Sequence, residues 1–347
     1  MAVRRRARPP SPPAARLVFR WDLDKTYLKS EFETLREMVR IPFEKAEDKV
    51  AAPGVGALIR GLRETALGRG RTVRVYFLSA SPPQIGRAIK RKLELDGIVH
   101  DGIVFKDQLH RLMRGKFRHL REQVGYKLTE LLKARSAEPA AAREYLFGDD
   151  WESDPLIYSL YGDIVAGRIA VSELAALLRA ARVDKPLIDE ACALAAAVPQ
   201  AEAVARIFIN LERRTPPAQL RVFGARLVPA FNYFQTAACL YQDDVLNASG
   251  VVQVARSLIE DSAYSPQRLA NSLADIERRG HLSAASGEGL RDALRAAGLF
   301  APLTPTLTAR WHRWRARRRP APPGRSDVPI DYRTLVGLQV PAEAVAE

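Results

Sequence analysis

Two aspartates, Asp22 and Asp24, close a short run of strand-forming residues, Leu17-Val18-Phe19-Arg20-Trp21, and Thr26 follows two positions later. Carboxylates spaced i and i+2 at the end of a strand open beside one another, a costly arrangement unless a cation or a phosphoryl group sits between them. That looks like a phosphotransfer nucleophile. Three more pieces follow in order along the chain. Val73-Arg74-Val75-Tyr76-Phe77-Leu78 is a strand-like run that ends in a hydroxyl, Ser79, and soon a breaker, Ser81-Pro82. Lys127 stands in Gly125-Tyr126-Lys127-Leu128-Thr129, and Glu144 to Gly148 runs into an acidic loop holding Asp149, Asp150 and Asp154.

These residues can act together only if the elements between them return the chain to one place. The segment from Thr26 to Arg71 reads as mostly helical: Phe32, Leu35, Met38 and Val39 keep helical spacing, and Pro53-Gly54 turns into a second helix through Leu58, Ile59 and Leu62. A helix is expected over 84–95, a strand within 97–105, a basic helix carrying Lys127 over 120–134, and a strand at 145–147. Strands separated by helices require crossover connections, hence a mainly parallel α/β sheet with helices on both faces. Ligands of such sheets bind outside the carboxyl ends of the strands. Asp22, Ser79 and Asp149 each follow the last apolar residue of an expected strand, so the sheet itself would assemble the site.

The series of aspartate pair, hydroxyl after a strand, lysine and acidic loop resembles the haloacid dehalogenase-like (HAD-like) phosphatases. Phe77-Leu78-Ser79-Ala80-Ser81-Pro82, Lys127 and Gly148-Asp149-Asp150-Trp151-Glu152-Ser153-Asp154-Pro155-Leu156-Ile157-Tyr158 are similar to the actin-patch phosphatidate phosphatase family and its bacterial relatives. The resemblance covers about residues 14–165. It implies a HAD-like Rossmannoid sheet and an Mg2+-dependent phosphatase for a phosphomonoester, phosphatidate among the candidates. In the roles it carries over, Asp22 is the nucleophile and a metal ligand, and Asp24 is the general acid and gives the metal its backbone carbonyl. Thr26 orients the substrate loop, Ser79 and Lys127 bind the phosphoryl group, and Asp149, Asp150 and Asp154 complete the metal environment. One position departs from the pattern: Lys25 stands where the family often has a third aspartate.

Beyond residue 165 the pattern changes. Leu174-Leu177-Leu178, Ile188-Ala191-Leu194, Val204-Ile207-Phe208-Leu211, Leu227 to Leu240, Val251-Val254-Leu258 and Leu269-Leu273-Ile276 all keep 3.6-residue spacing. Ser265-Pro266 is a helix start, with a capping hydroxyl and proline at the first helical position. The expected organisation is a basic tail at 1–15, a phosphatase domain at 16–165, an all-α domain at 166–300 and a Pro/Arg-rich tail at 301–347. A competing reading makes the helical half the functional end, a protein-binding or phosphate-sensing module.

At 347 residues and 47% hydrophobic content the chain can pack two cores. Its formal charge of +14 gathers in Arg4-Arg5-Arg6-Ala7-Arg8 and between Arg310 and Arg319. Such runs suit solvated tails and also an anionic lipid surface. The first arginines lead into prolines rather than an apolar stretch, and no apolar run approaches ~20 residues. The expectation is a cytoplasmic protein, peripheral to a membrane if the tails dock there. Nucleic acid is not expected as a partner, because the chain shows no Walker loop, zinc finger or aromatic platform. The five histidines have no ligand spacing, and Cys192 and Cys239 read as small apolar helix residues.

Overall fold

The computed structural model describes residues 16–23, 26–27, 51–79, 86–105, 116–151, 153–262, 264–300 and 329–339. Asp24, Lys25, Ser81, the helix expected around Phe32 to Val39, and the tails at 1–15 and 301–328 lie outside them.

Six parallel strands form one sheet: β1 (Leu17–Asp22), β2 (Val73–Ser79), β3 (Gly102–Phe105), β4 (Arg143–Asp149), β5 (Val204–Asn210) and β6 (Leu227–Ala230), in the order β3-β2-β1-β4-β5-β6. The chain winds outward from β1 through β2 to β3, then returns to the other side of β1 and winds outward again. The direction reverses between β1 and β4, which makes that gap the switch point of a Rossmann-like doubly wound fold. Helices cover both faces. On one side pack α1 (Val55–Gly68) and α2 (Gly86–Leu95), with α7 (Tyr233–Gln242), α8 (Ala248–Ser262), α9 (Pro266–Arg278) and α10 (Ala284–Ala296). The opposite face carries α3 (Lys116–Ser136), α4 (Asp154–Val165), α5 (Val171–Ala180), α6 (Lys185–Ala197) and α11 (Tyr332–Gln339).

Alternation along β1 divides the two cores. Leu17, Phe19 and Trp21 join the first with Phe77, Tyr145, Phe147 and Phe208. Trp21 stacks on Phe147 at 3.8 Å between ring centres, and Phe147 on Phe208 at 5.3 Å. This aromatic ladder crosses β1, β4 and β5 immediately beneath the carboxyl edge, each pair adding about 1 kcal/mol beyond its burial.

The expected all-α region at 166–300 is corrected here: it supplies β5 and β6 to the same sheet. Val204, Ile207, Phe208 and Leu211 keep helical spacing by coincidence. A parallel strand covered on both faces is a near-continuous apolar run, which periodicity alone does not separate from a buried helix. Pro229 belongs in β6 because β6 is an edge strand, where a missing N–H breaks no ladder. Both cores therefore mix residues from before and after 165. The expected tail at 301–347 is corrected for residues 329–339, where α11 buries Tyr332 and Val336 and Tyr332 donates to Asp163 Oδ2 at 2.6 Å. The start at Ser265 is as expected, its hydroxyl accepting from Arg268 N at 3.2 Å.

Candidate active site

Register brings the chemistry to one edge. Trp21 lies opposite Phe147 and Asp22 opposite Leu78, so Asp22, Ser79 and Asp149 end three neighbouring strands within a residue of one level. Asp22, Ser79, Lys127, Asp149 and Asp154 are all at most 1% exposed. One oxygen each from Asp22, Asp149 and Asp154 lies within 4.8 Å of the others. Lys127 Nζ bridges two of them, 2.8 Å from Asp22 Oδ1 and 2.7 Å from Asp154 Oδ1.

Local sequence explains each placement. Lys127 stands on α3, whose Val124, Leu128, Leu131 and Leu132 bury against the sheet and turn the lysine inward at the carboxyl edge. Gly125 lets the helix sit close, since a Cβ there would lie 2.5 Å from Val183 Cγ1. Asp154 opens α4, where the helix dipole favours a carboxylate, and Pro155 occupies the first turn. Gly148 makes room for it, because a Cβ at that position would lie 2.4 Å from Asp154 Oδ2. The acidic loop is closed by its own main chain: Asp149 N donates to Asp154 Oδ2 at 3.3 Å and Trp151 N to Asp149 Oδ1 at 2.6 Å. Tyr158 caps the site from below, donating to Phe147 O at 3.3 Å. Burial raises its pKa well above the usual phenol value, and the Asp154 charge adds to the effect.

Of the residues expected from sequence, five converge: Asp22, Ser79, Lys127, Asp149 and Asp154. Thr26 is buried, with its carbonyl accepting from Tyr233 at 2.8 Å. Thr26 Oγ1 and Ser153 Oγ are buried without a hydrogen-bond partner among the described residues. Asp150, also expected in the metal environment, is engaged elsewhere among the described residues. Its Oδ1 accepts from Arg213 N at 2.8 Å and its Oδ2 from Thr215 N at 2.9 Å, so both oxygens hold a neighbouring loop. Sequence reasoning also passed over Trp151, which is 42% exposed at this edge, and Arg213, whose guanidinium lies 4.8 Å from the Trp151 ring centre. The signal was weak: an aromatic residue within an acidic loop, and an Arg-Arg pair in a stretch read as helix.

Among the described residues three carboxylates gather about one ammonium, in a place water hardly reaches. An all-oxygen, acid-rich donor set fits a hard divalent cation such as Mg2+ better than Zn2+, which favours nitrogen and sulfur. The orphaned hydroxyls nearby fit a ligand with oxygen atoms of its own. Among the described residues no helix is long and apolar enough to cross a membrane. No protein-family model, curated protein or solved structure matches the chain.

Proposed function

We propose that the chain is a HAD-like, Mg2+-dependent phosphatase that hydrolyses a phosphomonoester through an aspartyl-phosphate on Asp22. The observation that carries this reading is the meeting of Asp22, Asp149 and Asp154 within 4.8 Å under the Lys127 ammonium, at the switch point of the sheet. Phosphatidate is the substrate to which the sequence resemblance points.

In this mechanism an Asp22 carboxylate oxygen attacks phosphorus, the ester P–O bond breaks, and the leaving oxygen takes a proton from Asp24. A water then gives a proton to Asp24 and attacks phosphorus, the bond to Asp22 breaks, and inorganic phosphate leaves. Dividing one displacement into two lowers each barrier. Lys127 holds Asp22 in place and offsets charge gathering on the phosphoryl oxygens, while Ser79 donates to one of them, the positioning and electrostatic work that dominates phosphoryl transfer. Asp22 and Asp149 would hold Mg2+, with Asp154 beside them. When bound, the ion supplies positive charge that lets an anionic phosphate approach a carboxylate.

The test is phosphate release from soluble monoesters and from phosphatidate in mixed micelles, with and without Mg2+. Release should need Mg2+ and vanish in both Asp22→Asn and Asp149→Asn. Release that survives either substitution contradicts the mechanism.

A further inference from the structure

Asp150 lies between two residues of the acidic site, yet its carboxylate is turned onto the loop that follows β5. It accepts the backbone N–H groups of Arg213 and Thr215, on either side of Arg214. Arg214 itself is in the left-handed region at φ 58° and closes a turn with its N–H on Leu211 O at 3.2 Å. A non-glycine residue holds that conformation only when its surroundings fix it, and here the Asp150 clamp does so. The clamp is short on both sides: Asp150 N donates to Asn210 O at 3.2 Å, and Asp149 pairs with Asn210 in the β4–β5 register. The turn is thus locked to the loop that carries the candidate metal residues.

What the clamp presents is positive charge. Arg213 lies over the Trp151 ring, and the Trp151 backbone N–H donates to Asp149 Oδ1 at 2.6 Å, so the residue beneath the guanidinium is tied by its main chain to the candidate metal site. Arg213 and Arg214 are exposed, and neither has an acidic partner among the described residues. A guanidinium stacked on an aromatic face keeps its edge donors for a planar or tetrahedral oxyanion. With the acidic centre neutralised by a divalent ion, this rim is a positively charged feature, among the described residues, on the loop bound to that centre.

We infer that Arg213, positioned by Asp150 and Trp151, binds a second oxyanion on the leaving group, a carboxylate or another phosphate. This rests on the phosphatase reading and narrows it. A diacylglycerol leaving group has no such anion, so the inference separates this chain from the lipid substrate that the resemblance suggests. Asp150 is then a positioning residue and Arg213 sets specificity.

The test compares three probes that share a phosphoryl group: phosphoglycerate, with a carboxylate, glycerol bisphosphate, with a second phosphate, and glycerol phosphate, with hydroxyls alone. Binding is measured by calorimetry with Mg2+ on the full chain carrying Asp22→Asn, so that it does not depend on turnover. At least one of the two doubly anionic probes should bind about tenfold or more tightly than glycerol phosphate. Adding Arg213→Gln should bring that ratio near one, Arg213→Lys should keep part of it, and Asp150→Asn should reduce it while the chain still melts cooperatively. Which doubly anionic probe gains more identifies the oxyanion. Equal affinity for all three probes, no measurable binding of any, or a ratio untouched by Arg213→Gln overturns the inference. Phosphate release from the same probes by the unsubstituted chain separates the two claims: selective binding without turnover contradicts the phosphatase, and turnover indifferent to the second anion contradicts the rim. Preferred turnover of micellar phosphatidate over phosphoglycerate also counts against the rim.

Discussion

Two buried ionic clusters lie on the same face of the sheet, two residues apart along β1, and they are built on opposite plans. The inner one joins Arg20 to Glu144 at 3.1 Å and Arg135 to Glu144 at 3.2 Å, with Tyr161 donating to Glu144 at 2.7 Å. Arg135 also reaches Ala140 O at 2.8 Å, and Glu138, held by Arg16 and Tyr76, supplies a second carboxylate nearby. Each carboxylate here lies on at least one guanidinium, and Glu144 accepts from Arg20, Arg135 and Tyr161. The outer cluster, at the carboxyl edge, gathers Asp22, Asp149 and Asp154, with Lys127 on Asp22 and Asp154 among the described residues. A closed ionic network holds a fold together. Three carboxylates gathered at strand ends are instead the place where, in the function proposed above, a cation would be held.

The largest expected effect is catalytic. Asp22→Asn should lower phosphate release by a factor on the order of 10^4 or more, because the nucleophile is gone. The same substitution should raise the melting temperature of the metal-free protein, since it removes one of three crowded negative charges. A lower melting temperature would mean that the outer cluster is balanced like the inner one. Next come truncations of each cluster's centre. Lys127→Met and Glu144→Gln should each cost about 3–5 kcal/mol in denaturant unfolding, the penalty for stranding buried charges. Only the Lys127 variant should recover part of that loss in Mg2+, and recovery by both would erase the distinction. Mg2+ at a hundred times its dissociation constant should stabilise the unsubstituted chain by about 2.7 kcal/mol, and the same concentration should stabilise Asp149→Asn by about 1.4 kcal/mol or less.

The smallest effect concerns pH. Burial alone would raise the Glu144 pKa, but the Arg20 guanidinium, hydrogen bonds from Arg20 and Tyr161, and Arg135 outweigh it and hold it below the usual carboxylate value. The unfolded chain therefore takes up this proton first as the medium acidifies. The Glu144 contribution is full above the unfolded pKa of 4.5 and fades as pH falls through the lowered folded value. The stability gap between the unsubstituted chain and Glu144→Gln should be constant near neutrality and shrink below about pH 4.5. A gap that widens in acid would contradict the closed network.

The outer cluster was legible in the sequence because its members sit at strand ends, where a run of apolar residues stops and a polar one begins. Asp22, Ser79 and Asp149 are marked that way, and Lys127 and Asp154 gain meaning from their order. The inner cluster was not legible. Arg20 interrupts an apolar strand without revealing its partner, which lies 124 residues away. The first half of the sheet followed from strand and helix alternation, whereas β5 did not, because a strand buried on both faces carries no period-two signature. Asp150 shows what a motif leaves out: an aspartate beside a candidate metal residue also accepts two N–H groups of a backbone turn that the sequence did not reveal.

The most direct test of the outer cluster is an Mg2+ titration of the full chain by calorimetry, beside Asp149→Asn. The account predicts one saturable Mg2+ site per chain, weakened tenfold or more when the Asp149 charge is removed. No Mg2+ binding by the unsubstituted chain, or equal binding by both proteins, would contradict it.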